Sequence, residues 1–419
     1  MPENPEDLQS LLNIVSNWCE KWRLSINNKK TQIMHVRKCR KNISDFNFYY
    51  GKNYGTKEFP IPSNNCILLE YTTTYKYLGV LFYGNMDFSV LADDLATRAS
   101  RALGSLIAKF YANNGMGYRS YKKLYNACIT KIADYSSGVW GLGLYPKLNN
   151  VHHRALRTYL GVHKYAPIEA LTGELAFTPP AIRRKVEMVR LWNRLVKLPE
   201  NRLPRIVFNH EYENLTNWCR DLRSIFEQTN FMHIFENKIT VDPLDVKKKL
   251  LDIFSTNFID SLLLKPKLRN YALFKFSFEC EPYNWAYLSR NKRSIFAQLR
   301  MGILPLRIET GRFQNLDLNN RTCFYCNSQQ VEDEYHFIFQ CTHFDHLRTP
   351  FLAKCSEMDE NFDTMDEVEK LRYVLSNEKI QTITADFSQE AFLFIKKTRL
   401  EILDFGPPLS FFFATCTLS

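Results

Sequence analysis

Residues 321–341 read RTCFYCNSQQVEDEYHFIFQC, and four of them decide how the C-terminal part of the chain is built. Cys323 and Cys326 are separated by two residues, His336 follows after nine more and Cys341 after a further four, giving C-x2-C-x9-H-x4-C. Tetrahedral zinc takes thiolates and a neutral imidazole. A C-x2-C pair on a tight turn supplies two neighbouring corners, and a second pair on a helical turn closes the other two. With all four corners filled by protein there is no position for water, so the expected metal is a structural Zn2+ rather than a catalytic one. His343 and His346 are nearby alternates and Cys355 a weaker one; His336 is preferred because it leaves a four-residue gap to Cys341. Buried cysteines beside a core histidine are the plainer reading, but ligand spacing at both ends of one loop rarely arises by chance. Glu332, Asp333 and Glu334 make the loop itself a poor phosphate binder, which leaves Arg307, Arg312 and Arg321 as flanking candidates.

Working outward, a chain of 419 residues exceeds one ordinary core, and about 150 residues per domain implies two or three. Hydrophobic residues make up 45% and charged residues 24%, the balance of a chain that folds. The formal charge of +11 favours an anionic partner such as nucleic acid. Pro2, Glu3, Pro5, Glu6 and Asp7 do not form the basic opening of a secretory signal. Eight of the eleven cysteines are scattered singly, which fits a reducing compartment. No run reaches the 18 or so apolar residues of a membrane span; the nearest, Leu409 to Leu418, is short and carries Thr and Ser. The protein is therefore expected inside the cell, in nucleus or cytoplasm, neither secreted nor membrane-bound.

Leu8, Leu11, Leu12, Val15, Trp18, Cys19 and Trp22 recur at helical spacing and predict an amphipathic helix. Leu24 to Ile26, an Asn27-Asn28 turn and Gln32 to Val36 read as a short hairpin or strand pair. Residues 37–41, RKCRK, read as a solvated basic loop, 45–70 show no clear period, and Tyr75 to Phe82 form the best strand. Residues 86–111 predict a long helix with Leu91, Leu95, Ala99, Leu103 and Phe110 on its apolar face. Asp93 and Asp94 within it are a tempting metal-binding pair, but at about 100° per residue they do not converge. They read as dipole partners near a helix start, and no catalytic residue is expected. Residues 118–145 predict one further helix ending in glycines, and later helices fall at 244–264, 269–279, 290–301, 368–376 and 390–403. The polar stretch 199–245, punctuated by Pro199, Pro204 and Pro243, reads as a linker.

Charge concentrates between 151 and 210, where eleven basic side chains stand against four acidic ones. Arg154, Arg157, Lys164, Arg183, Arg184, Lys185 and Arg190 are the candidate phosphate contacts there, with His152, His153, His163 and Trp192 interleaved as stacking partners. A solvated helical surface is the plainer reading.

Taken in order, these pieces resemble the C-terminal part of reverse transcriptases of non-LTR (LINE-type) retrotransposons. LQSLLNIVSNWCEKWRLSINNKKTQIM at 8–34 resembles the Trp-bearing helix and N-x-x-K-T strand of that family, with Asn27, Lys30 and Thr31 as the matching residues. YKYLGVLF at 75–82 resembles its primer-grip hairpin, and HHRALRTYLGVHKYAPIEALTGELAFTPP at 152–180 its thumb and the connection beyond. LRIETGRF at 306–313 with the cysteine and histidine motif resembles its C-terminal zinc region. The resemblance implies a mainly α fold with small β elements: a palm remnant at 1–84, a thumb-like helical region at 85–200, a linker at 201–245, a helical domain at 246–405 holding a zinc knuckle, and an atypical tail at 406–419. It also implies RNA or DNA as partner, with Lys30 standing where the family has a lysine able to protonate pyrophosphate. The family's Tyr-x-Asp-Asp hairpin, which holds two Mg2+ ions for the chemistry, does not occur in this sequence. The expectation is a truncated fragment that keeps nucleic-acid affinity without polymerase activity or Mg2+, with the missing N-terminal reverse transcriptase segment as one partner and Leu11, Val15 and Trp18 as the residues that packed on its palm. A zinc-stabilised protein-interaction module and an inert relic are the alternatives, and salt-dependent nucleic-acid binding separates them from the first reading.

Overall fold

The computed structural model describes residues 4–37, 44–51, 66–286 and 288–403, with side chains described to 396. Residues 38–41 of the basic cluster 37–41, residues 52–65 of the stretch 45–70 and the tail at 406–419 lie outside the described residues. The chain is mainly α-helical, with three two-stranded sheets among the described residues, and it divides into two compact units, 1–95 and 96–419.

In the first unit the helix Pro5–Lys21 starts at an Asn4 cap, whose Oδ1 accepts the Asp7 N–H at 2.8 Å. Its predicted stripe divides. Leu8 and Leu12 pack on Ile33, Phe48 and Leu69, and Cys19 is buried beside them in the helix's inner face. Gln9 joins that face: its Nε2 donates to the Tyr49 carbonyl at 2.8 Å and its Oε1 accepts the Tyr49 N–H at 2.9 Å. Leu11, Val15, Trp18 and Trp22 stay 41–61% exposed. Gln32–Ile33 is a strand, but it pairs in parallel with Glu70–Tyr71 and not with 24–26, which correct the local hairpin expected there. The stretch 75–82 is likewise not one strand. Thr74–Tyr77 pairs antiparallel with Val80–Tyr83, and Leu78 and Gly79 both take positive φ, 48° and 85°. Two residues of that conformation match the strand twist of a tight hairpin.

The helix Ser89–Ala112 buries Leu91, Leu95, Ala99, Leu103 and Phe110 as its periodicity predicts, and leaves Asp93 and Asp94 half-buried. The helix expected at 118–145 is broken. Tyr118–Leu124 runs through a π turn, Tyr125–Thr130, into Lys131–Ala133, and a left-handed Ser136 precedes the short helix Ser137–Trp140. Pro146–Leu160, Ile168–Leu175 and Pro180–Lys197 follow.

Residues 201–245 are not a linker. They fold as Leu203–Glu213, Asn217–Gln228 and Met232–Glu236, and Phe208, Leu222, Ile225, Phe226, Ile234 and Phe235 share one core with Val186, Val189 and Trp192. Pro204 and Pro243 sit in first turns of helices, where a missing N–H costs nothing, so they start helices instead of separating domains. Of the helix expected at 269–279 only Arg269–Ala272 forms; the irregular chain beyond it turns Lys275 inward, 2% exposed.

Lys275 belongs to a buried charge cluster that nothing in the sequence pattern announced. The Arg300 guanidinium, fully buried, grips both Glu174 oxygens, Nε to Oε1 at 3.1 Å and to Oε2 at 3.2 Å. It also pairs with Glu281, which Lys275 pairs from the other side. Two cations face two carboxylates, so the core carries no net charge there. Burial pushes the Glu174 carboxyl up against the pull of Arg300, while Arg300 and Lys275 together outweigh burial at Glu281 and hold it down.

Candidate metal centre

The cysteine loop is built by a short antiparallel ladder. Thr322 bridges Val331, Cys323 N–H donates to the Gln330 carbonyl at 2.9 Å, and Glu332 N–H donates to the Arg321 carbonyl at 3.0 Å. This brings Cys323 and Cys326 to the end of a turn. His336 and Cys341 come from the next element, His336–Gln340, which is a π turn closed by the Cys341 N–H on the His336 carbonyl at 2.9 Å. In an α-helix two residues five apart would point about 140° apart. The wider turn, bonded i to i+5, returns them to one side.

As a result the ligand atoms of Cys323, Cys326, His336 and Cys341 all lie within 4.8 Å of one another, forming a cluster able to hold a metal ion. The Cys323 and Cys341 sulfurs are 3.7 Å apart, and the Cys326 sulfur is 3.4 Å from His336 Nε2. A tetrahedral zinc with metal–sulfur bonds of about 2.3 Å has sulfur–sulfur edges of about 3.8 Å, and its sulfur–nitrogen edges are a little shorter. The separation is far from the roughly 2.05 Å of a disulfide, and all four cysteines of this region, Cys355 included, are free. The contact between the two sulfurs pulls the Cys323 thiol down and pushes the Cys341 thiol up. The arrangement is one in which a cation would replace shared protons. His336 Nδ1 lies 3.1 Å from Gln330 Oε1, so it is the N–H side of the ring and Nε2 is left to face the sulfurs. The alternates do other work. His343 stacks on Tyr325 and Phe394, His346 lies against Phe394, and burial pushes the Cys355 thiol up to about 12.

The acidic run before His336 is architectural. Glu332, 1% exposed, accepts the Arg307 N–H at 2.9 Å and so caps the helix Arg307–Phe313. Asp333 Oδ1 accepts the His336 N–H at 2.8 Å, and Glu334 Oε2 accepts from Asn270 Nδ2 at 2.8 Å. Their spacing before a ligand histidine was the available signal, but their partners at 270 and 307 are set by the fold. The flanking arginines are corrected too. Arg321 directs its guanidinium to the Leu316 and Ile308 carbonyls, and Arg307 is buried over the Phe324 ring at 4.2 Å. Arg312 is half exposed but paired with Glu309 at 3.1 Å.

The basic candidates upstream divide in the same way. Arg184 is 2% exposed, donates to the Gly141 carbonyl at 3.1 Å and lies over the Tyr145 ring, so it is a core residue and not a phosphate contact. Arg183 is tied to Asp134 at 2.6 Å and to the Thr178 carbonyl at 2.8 Å. Arg190 pairs with Glu187, and half-buried Lys185 reaches Gln228 at 3.5 Å. Trp192 and His152 are buried and cannot stack on a base. Arg154 and Lys164 remain exposed, Arg157 is half-buried, and Lys30 is exposed on the turn Asn28–Lys30 of the first unit.

No helix among the described residues is long and apolar enough to cross a membrane. Set beside family models, curated proteins and solved structures, the chain matches none of them.

Proposed function

We propose that this chain is a nucleic-acid-binding protein of the non-LTR reverse transcriptase lineage, with a C-terminal region tied by a structural Zn2+ at Cys323, Cys326, His336 and Cys341 and without polymerase chemistry of its own. The observation that carries the metal part of the reading is the donor set: three sulfurs and one imidazole nitrogen within 4.8 Å of one another, enough to fill four protein corners and leave none for a reacting water. The order of motifs along the chain and the net charge of +11 support a polyanionic partner, and exposed Arg154, Lys164 and Lys30 supply cations for it. The only adjacent aspartates, Asp93 and Asp94, sit on successive helix positions about 100° apart, which does not suit them to bridge two Mg2+ ions.

The test has two parts. Purified protein is expected to carry one zinc per chain, and to bind RNA or DNA with an affinity that falls linearly, on logarithmic axes, as salt rises. Negligible binding at low salt would remove the nucleic-acid part, and primer extension by the chain alone would remove the claim of no chemistry. A second reading, a protein-interaction module, draws on the exposed Leu11, Ile14, Val15, Trp18 and Trp22 of the first helix; it is favoured if zinc is bound and nucleic acid is not.

A further inference from the structure

The π turn at Tyr125–Thr130 changes which basic side chains share a face. In an unbroken α-helix Lys131 would lie about 120° round from Arg119. The π turn absorbs one residue and returns it to about 20°, while Lys122 and Lys123 flank the same line. Arg119, Lys122, Lys123 and Lys131 therefore line one open cleft of about 540 Å³, walled by Tyr118 and Trp285. No lining side chain is acidic. Among the described residues none of the four cations is paired with a carboxylate. Like charges at i and i+4, here Arg119 and Lys123, cost a helix stability unless an anion offsets them.

The aromatic wall is fixed. Trp285 closes the turn Pro282–Asn284 with its N–H on the Pro282 carbonyl at 2.8 Å, and its ring centroid is 4.5 Å from that of Tyr118 in an edge arrangement. It is nevertheless 51% exposed, with the Arg119 guanidinium 5.3 Å from its ring centre. Lys122 donates to the Tyr118 hydroxyl at 3.0 Å, and burial, reinforced by the like charge of Lys247, lowers its pKa. A phosphate in the cleft would oppose both influences.

We infer that this cleft binds single-stranded nucleic acid, its phosphates on Arg119, Lys123 and Lys131 and a base laid on Trp285; the inference rests on the nucleic-acid reading above and gives it a place. A lone phosphate would not need the indole, and a duplex keeps its bases stacked away from it. A row of cations beside a held aromatic is the combination that takes successive phosphates and an unstacked base.

The experiment uses the full chain, a fluorescein-labelled deoxythymidine oligomer of about 12 nucleotides and a random-sequence duplex. Trp285→Ala is expected to weaken oligomer binding about 5- to 150-fold and to leave duplex affinity unchanged. Lys123→Glu/Lys131→Glu alters two exposed positions, so its thermal unfolding should match wild type. It is expected to weaken the oligomer and flatten its salt slope by about 1.4. If wild type binds and both variants bind like it with the same slope, the cleft is not the site and the broader reading survives. If only the lysine variant weakens, and weakens oligomer and duplex alike, the assignment of a base to Trp285 is overturned. If wild type binds neither ligand at low salt, the broader reading falls and this inference with it.

Discussion

Two regions of the larger unit bury polar chemistry by opposite means. At 323–341 the partners lie at most 18 residues apart, and their sulfurs and imidazole face a point between them. At Glu174 and Arg300 the partners lie 126 residues apart, and each charge faces its opposite directly. The first arrangement has the donors for a metal ion supplied from outside; the second is completed from within by the fold. The loop can draw on the first for its stability, because metal binding carries about 10 to 16 kcal/mol in such sites. The second holds together only because the surrounding helices have already excluded water, and its net contribution is small even though breaking it is costly.

The largest expected effect therefore comes from taking the cation away. Chelation of zinc, or Cys326→Ser, should open 321–341 to proteolysis and abolish stoichiometric zinc, while the core around Trp192 keeps its protection from hydrogen exchange. Retention of one tightly held zinc per chain in the serine variant would break the ligand set. Next comes the charge cluster. Arg300→Met leaves Glu174 and Glu281 buried with only Lys275 between them, and should lower unfolding free energy by about 3 to 5 kcal/mol in urea titrations, with zinc content unchanged. A loss below about 1 kcal/mol would mean that water reaches the cluster and that burial does not set its energetics.

The same contrast explains what could be read from the sequence. Cys323, Cys326, His336 and Cys341 were legible because ligand spacing is local, and the long Ser89–Ala112 helix because its periodicity is. Arg184 and Arg183 were misread as phosphate contacts because a cation in a basic stretch looks the same whether its partner is solvent, Gly141 or Asp134. Glu174, Glu281, Lys275 and Arg300 carry no pattern at all, since their pairing depends on how four separate segments meet. Residues 201–245 misled for a different reason: Pro204 and Pro243 mark breaks as readily as first turns, and only the burial of Phe208, Phe226 and Phe235 against Trp192 decides between them. The cleft beside Trp285 was hidden by the π turn, which shifts Lys131 onto the face of Arg119 in a way that a 3.6-residue period does not predict.

The smallest effect is the most discriminating, because it separates orientation from ligation within the metal loop. Gln330 touches no metal position, yet its Oε1 is 3.1 Å from His336 Nδ1. It is the group that fixes the ring with Nε2 toward the sulfurs. Partners of this kind are worth about 10- to 100-fold in metal affinity. Gln330→Ala should therefore weaken zinc binding by that factor in a competition titration, while the zinc-free protein unfolds as wild type does, because Gln330 is exposed and packs on little. Gln330→Glu should hold zinc at least as tightly as wild type, since a carboxylate accepts the same N–H and raises the basicity of the ligating nitrogen. Equal affinity across all three proteins would show that the ring is held by its backbone and the Asp333 contact alone. In that case the loop is preorganised like the Arg300 cluster, and the distinction between a site completed from outside and one completed from within would disappear.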